Sequence, residues 1–375
     1  MKLTLQIQLL PDAKQAVALR ETLARFNEAA SWLAEKAFEL RSANKIKLQQ
    51  LFYADIRQGF QLSAQMTVRC IAQVCEAYKR DKKKLPKFRK YASMPFDQRM
   101  MSFKGIDRVS LLTLQGRIIV PFMMGKYQSE RFPNAKGQCD LVLRKDGKWL
   151  LLMTVDLPDK TPTPVTDFIG VDFGINEIAT TSDGEHFTGK EVECVRQKRS
   201  ALRQTLQHKA SKQSQSGKRP RAIRCLCKRT AKRESNFRKH TNHFISKKLV
   251  ALAIDTQRGI ALEDLQGIRQ RVEKRFRRQQ RAKVSGWSFF QLRQCITYKA
   301  QLSGVSVILV DPRNTSRTCS VCGHCAKENR KRQSEFACVT CGHSLNADHN
   351  AAINIRGRAQ VSALQESEPS ATART

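Results

Sequence analysis

The stretch FIGVDFGINEIATTSDG, Phe168 to Gly184, decides how the second half of the chain folds. It opens as an uninterrupted apolar run, the grammar of a strand buried on both faces. A second strand follows and turns at Asp183-Gly184, a dipeptide suited to tight reversals. One residue does not fit a buried strand. Asp172 brings a carboxylate into surroundings where an unpaired charge is costly, so something must compensate it. Two further apolar strands lie downstream, GIALEDL from Gly259 and VSVILV from Val305. Between them run long, densely basic, mostly helical segments. Strands alternating with helices predict an α/β unit.

GIALEDL repeats the anomaly at its end. Glu263 and Asp264 compete for the role of the inward acid. Strand alternation places Glu263 on the side of Ala261, but by the residues alone the choice between the two stays open. A third acid, Asp348, starts a helix in CVTCGHSLNADHNAAINI, Cys338 to Ile355. A lone acid of this kind serves equally well as a salt-bridge partner. Three of them converging at one sheet edge would hold two divalent cations about 3.5–4 Å apart, the arrangement used to hydrolyse phosphodiesters.

The chain has twelve cysteines, and five fall between Cys319 and Cys341. Cys319-x-x-Cys322-Gly and Cys338-x-x-Cys341-Gly form two matched knuckles separated by fifteen residues. Four thiolates in that pattern predict a closed, structural zinc site, with the glycines allowing the tight turns. With no secretory signal in view, the scattered cysteines read as free thiols of a cytoplasmic protein.

The N-terminal half follows another pattern. Leu3, Leu5, Ile7 and Leu9 alternate as a strand. Three helices are predicted next, the first opening at Pro11-Asp12, the second near Leu48–Ile56 and the third after Ser63. Gln65, Arg69 and Gln73 share one face of the third helix, which reads as a solvated face or, since such side chains suit base edges, as a nucleic-acid contact. Hairpins follow in RVSLLTLQGRIIV and LVLRKDGKWLLLMTV, the second turning at Asp146-Gly147. TPTPVT, 161–166, reads as a linker. RQRVEKRFRRQQRAK, 269–283, reads as an active-site lid or a solvated helix. The segment 358–375 reads as a disordered tail. The formal charge of +35 over 375 residues, with a pI near 10.2, calls for a polyanion. Nucleic acid is the expected partner, and no long apolar run suggests a membrane.

Taken in order, GVDFGIN, IALEDL, TSRTCSVCG and CVTCGHSLNADHNAAINI resemble the RuvC-like nuclease of TnpB proteins, insertion-sequence relatives of the type V CRISPR effectors. The match runs over roughly residues 166 to 357. One departure is Ala347, where the family usually carries arginine. The resemblance implies an RNase H-like (RuvC) domain, 166–316 and 346–357, with a zinc ribbon inserted at 317–345. It implies a β-barrel-like wedge domain, 1–10 and 91–165, holding a helical recognition lobe at 11–90. It implies an RNA-guided, Mg²⁺-dependent endonuclease with Asp172, Glu263 and Asp348 as catalytic metal ligands. Cys319, Cys322, Cys338 and Cys341 would hold zinc, and guide RNA and double-stranded target DNA would be the partners. The competing readings are a nuclease-silent DNA-binding repressor, a zinc-ribbon transposition accessory and a strand-transfer transposase.

Overall fold

The computed structural model describes residues 1–217, 220–265 and 288–367. The basic stretch 269–283 lies outside the described residues. The chain divides into two compact units, Met1–Pro158 and Asp159–Thr375.

In the first unit, strand β1 (Lys2–Leu9) precedes helices α1 (Ala13–Glu39), α2 (Lys45–Gly59) and α3 (Ala64–Arg80). Asp12, Asn44 and Ser63 cap the three helices with side-chain oxygens, each satisfying an otherwise orphaned N–H. Strands β2 (Met94–Phe96), β3 (Met101–Lys104), β4 (Arg108–Thr113) and β5 (Gly116–Met123) follow. The short helix α4 (Lys126–Ser129) leads to β6 (Ala135–Leu143) and β7 (Trp149–Asp156). They join β1 in a seven-stranded antiparallel sheet, ordered β2-β6-β7-β1-β5-β4-β3. Leu19, Leu23, Phe26, Ala30 and Leu33 of α1 share one buried core with Ile7, Leu9, Leu141 and Leu151 of the sheet. Burying each of the larger side chains stabilises the unit by about 1.5–3 kcal/mol.

The second unit carries the anomalous acids. Its sheet contains β8 (Phe168–Asp172), β9 (Glu177–Thr181), β10 (His186–Thr188), β11 (Gly259–Glu263) and β12 (Val307–Val310), ordered β10-β9-β8-β11-β12. The strands β8, β11 and β12 run parallel, and β9 and β10 run antiparallel to their neighbours. A basic helical pair, α5 (Lys190–Gln215) and α6 (Arg221–Asp255), joins β10 to β11. Helix α7 (Phe289–Ser303) joins β11 to β12. A small ribbon of β13 (Glu335–Ala337) and β14 (Ser344–Asn346) precedes helix α8 (Ala347–Ser367).

Alternation sorts the strand residues onto two faces. Ile169, Val171, Ile260 and Leu262 pack with residues of α6 and α7, namely Ile245, Leu249, Leu292 and Ile296. Phe168, Ala261 and Val310 pack with Ile355 and Ala359 of α8. Gly170 belongs to this second face and brings α8 against the sheet. A Cβ built there would stand 2.0 Å from the Ala352 carbonyl oxygen and 2.6 Å from the Arg356 nitrogen. Backbone atoms cannot rotate away. Gly170→Ala is therefore expected to destabilise the second unit by about 3 kcal/mol or more, read by urea melting. A variant within about 0.5 kcal/mol of wild type would refute the packing.

Two expectations need correction. The segment 358–375 does not begin as a disordered tail, because α8 continues through Ser367. Ala359 is fully buried and Ala363 packs on the same cluster, each four residues beyond the last buried contact. The residues 161–165 are not a free linker. Thr163 N–H donates to the Gly304 carbonyl, and Val165 packs beside Phe168, so the division between units falls at Pro158 instead. No helix among the described residues is long and apolar enough to cross a membrane.

Candidate functional site

Strand register brings two of the acids together. Val171 stands opposite Leu262 on adjacent parallel strands, so the next residues, Asp172 and Glu263, are neighbours. They share the α8 face, on strands about 4.8 Å apart. Helix geometry brings the third. Gly170 abuts Ala352, and Phe168 packs with Ile355 and Ala359, so α8 runs antiparallel to β8. Asp172 lies two residues past Gly170, about 7 Å along the strand. Asp348 lies four residues before Ala352, about 6 Å back along the helix. Both therefore reach the same level. Asn346 caps α8, its Oδ1 accepting from the N–H groups of Asp348 and His349 at 2.9 and 3.2 Å.

The electrostatics agree with this convergence. Burial, then the nearby Glu263 and Asp348 carboxylates, hold the Asp172 carboxyl well above its ordinary range. Burial likewise raises Glu263 and Asp348. Neighbouring groups moderate the cluster, Arg358 beside Glu263 and His186 beside Asp348 among them. Thr315 Oγ1 donates to Glu263 Oε1 at 2.6 Å, in surroundings where Glu263 is 6% and Thr315 3% exposed. Arg330 pairs with Asp348 Oδ1 at 3.3 Å and also lowers Asp172. Asp264 goes elsewhere, pairing with Arg293 of α7 at 2.7 Å. Asp183, in the β9–β10 turn, pairs with Arg258.

The four cysteines meet more tightly. Their Sγ atoms all lie within 4.8 Å of one another, the one such cluster of metal-ligating groups among the described residues. Cys319 and Cys341 are 3.7 Å apart, and Cys322 and Cys338 are 3.6 Å apart. A tetrahedral ion with metal–sulfur bonds of about 2.3 Å sets thiolates about 3.8 Å apart. The donor set and its size therefore suit one metal ion. The knuckles are built alike. Gly323 and Gly342 both have positive φ, at 75° and 73°. Each donates its N–H to the carbonyl of its knuckle's first cysteine at 3.0 Å. Within the quartet the thiols pull apart: the Cys341 N–H first helps to bring Cys338 down to about 6, while at Cys322 the His324 N–H is outweighed by bonds to the other thiols, which push it up to about 12.

Sequence reasoning missed the residues that tie the ribbon to the acids. Asn350, fully buried on α8, accepts from Ser320 N–H at 3.1 Å and donates to the Thr318 carbonyl at 2.9 Å. Asn354 donates to the Thr315 and Thr318 carbonyls at 2.8 and 2.7 Å. Their spacing of four on the helix that carries Asp348 was the available signal. Asn329 bridges the knuckles, donating to the carbonyls of Arg317 and His324 and accepting from Val339 N–H. Ala347, where the resemblance led to the expectation of arginine, is fully buried with Cys319, Phe336 and Cys338.

In the first unit, Gln65, Arg69 and Gln73 have partners inside the protein. Gln65 and Arg69 both donate to Asp97 Oδ2, Arg69 at 2.9 Å, and Gln73 Nε2 donates to the Ser93 carbonyl at 3.2 Å. Burial works against the Asp97 charge, but these two donors win and hold its carboxyl below the usual range. Arg69 and Gln73 also line a pocket of about 250 Å³ with Arg80, Glu76, Gln138 and Asp140. Arg69→Ala is expected to cost about 1–2 kcal/mol through Asp97, half-buried and left without its charged partner. Chemical denaturation, with Asp97→Asn in a double-mutant cycle, measures the coupling. Additive losses would show that the pair contributes nothing.

Comparison with known proteins agrees with this architecture. Residues 152–266 match the family model described as a probable transposase, OrfB of IS605. Residues 289–355 match the Cas12f1-like TNB domain. The chain is 31% identical to the CRISPR-associated endodeoxyribonuclease Cas12f1 of Sulfoacidibacillus thermotolerans, over 70% of this chain and 61% of that protein. It is 29% identical to the putative RNA-guided DNA endonuclease InsQ of Escherichia coli K12, over 72% of this chain and 69% of that one. The chain thus spans about three fifths of the length of the Cas12f1 relative. The solved structure of the mini-RNA-guided endonuclease Cas-phi3 shares the fold, with a TM-score of 0.54 at 10% identity, over 96% of this chain and 92% of that one. Both family models fall on the ordered motifs, and over them the chain is similar to TnpB-like proteins and to the Cas12f1 endodeoxyribonucleases.

Proposed function

We propose that this chain is an RNA-guided DNA endonuclease of a transposable element, cutting its target by metal-dependent hydrolysis. The observation that carries the reading is the convergence of Asp172, Glu263 and Asp348 from two parallel strands and a helix start. The strand order and the single covering helix α8 support an RNase H-like, RuvC-type nuclease domain. The cysteine ribbon is its zinc-binding insertion. We assign the sheet of the first unit to a wedge domain and α1–α3 to a recognition lobe.

Asp172, Glu263 and Asp348 would hold Mg²⁺, which supplies an activated water and charge stabilisation at the phosphate. The chain's own residues do the rest. Glu263 and Asp172, side by side, present oxygens toward one face. Asp348 closes the cluster from the helix. Arg330 offsets the excess negative charge and stands where an incoming phosphate can take its guanidinium. Guide pairing would read the target sequence, and a short adjacent motif would fall to the protein. We assign that motif to the pocket of Arg69 and Gln73, with Gln65 beside it. The basic helices α5 and α6 suit phosphate contacts that carry no sequence information.

The test is to express the protein with its flanking locus, sequence the copurifying RNA and offer duplex DNA matching its variable segment. Mg²⁺-dependent cutting of matched but not mismatched DNA is expected. Intact matched DNA, with RNA bound, would overturn the reading.

A further inference from the structure

We infer that Thr315 is a positioning residue for Glu263, and that through it the cysteine ribbon sets the orientation of a carboxylate borne by the sheet. The inference deepens the nuclease reading and rests on it. Thr315 lies fifty-two residues from Glu263, in the loop between β12 and the first knuckle. Its hydroxyl has one proton to give. Two acceptors are within reach, Glu263 Oε1 at 2.6 Å and the Pro312 carbonyl at 3.2 Å. The shorter bond, to the Glu263 carboxyl oxygen, takes the proton. One glutamate oxygen is thereby fixed, and the other is left to face a cation. Without the hydroxyl, a carboxylate this buried loses its neutral donor and is free to turn.

Thr315 is itself held. Its carbonyl accepts from Asn354, and the next anchor, Thr318, accepts from both Asn350 and Asn354. Ser320 N–H returns to Asn350, directly beside Cys319 of the cysteine quartet. The loop, the first knuckle and α8 therefore form one hydrogen-bonded body. That body delivers Asp348 from its helix and orients Glu263 through its hydroxyl. Residues around a metal site that orient its ligands change affinity by about 10–100-fold when removed.

The experiment compares Thr315→Val, close in shape but without the hydroxyl, with Thr315→Ser, which keeps it. Mn²⁺ binding to the purified protein is followed by the electron paramagnetic resonance of the free ion. The Mg²⁺ dependence of cleavage is measured beside it. Thr315→Val is expected to weaken Mn²⁺ binding about tenfold. The half-saturating Mg²⁺ should rise in proportion, with cysteine-bound metal and nucleic-acid affinity unchanged. Thr315→Ser should stay within about twofold of wild type. Wild-type Mn²⁺ affinity in Thr315→Val overturns the inference, and so does equal weakening in Thr315→Ser. The Mn²⁺ titration needs no cleavage. A wild-type protein that binds Mn²⁺ but leaves matched DNA intact sinks the nuclease reading alone and leaves Thr315 measurable.

Discussion

Asp172→Ala is expected to abolish DNA cutting, by on the order of 10³-fold or more, while guide and target binding survive. Removing a shared metal ligand forfeits several kcal/mol of charge stabilisation at the phosphate, and about 1.4 kcal/mol is a factor of ten. Asp264→Ala is the internal control. It follows Glu263 at the end of β11, but its carboxylate pairs with Arg293 on α7, so cutting should persist. Loss of cutting in Asp264→Ala with persistence in Glu263→Ala would reverse the assignment. Asp172 also carries a stability signature. Its folded carboxyl sits well above its ordinary range because of burial and two neighbouring acids. Between its unfolded and folded values the folded chain holds more protons, so stability falls as pH rises through that interval. Metal-free Asp172→Asn should therefore melt higher than wild type near neutral pH and show a shallower pH slope. An identical slope in the two proteins, by scanning calorimetry in EDTA, would mean that neither burial nor the neighbouring acids raise the Asp172 carboxyl.

Much of this arrangement was legible in the chain. Period-two alternation put Glu263 with Ala261 and Asp264 on the other side, and the strand register follows that placement. The cysteine spacing marked the quartet because a knuckle is a local structure, closed within four residues. What stayed hidden was long-range. Thr315 and Arg330 act on Glu263 and Asp348 through single hydrogen bonds spanning fifty-two and eighteen residues. No periodicity records such a bond. The face shared by Gln65, Arg69 and Gln73 was readable as a face. That Asp97 and Ser93 would meet it was not, since helical spacing says nothing of what packs opposite. The last turns of α8 were missed for a related reason. Alanines at 359 and 363 add little apolar weight to a polar sequence, yet they complete the stripe that covers β8.

Cys338→Ser carries the second large effect. The purified variant is expected to lose its cysteine-bound metal and to cut matched DNA at least about a hundredfold more slowly. The loss should exceed any fall in global stability, because α8 has two separate attachments. Ile355 and Ala359 fasten its middle to Phe168, Ala261 and Val310 by apolar packing that needs no metal. Its first turns depend on the ribbon, through Asn350, Asn354 and the pairing of Asp348 with Arg330. Each of those neutral bonds stabilises the native arrangement by only about 1 kcal/mol. Together they set where Asp348 points. Six residues separate Cys341 from Asp348, a tether of seven steps and at most about 25 Å, so the reach is short but the orientation is free without the ribbon. Cys325→Ser makes the contrast. That thiol is exposed and stands outside the quartet, so cysteine-bound metal and cutting should both be unchanged. Metal analysis beside a cleavage assay decides the matter. Cys338→Ser without its cysteine-bound metal, cutting at the wild-type rate, would leave the ribbon no part in holding the third carboxylate.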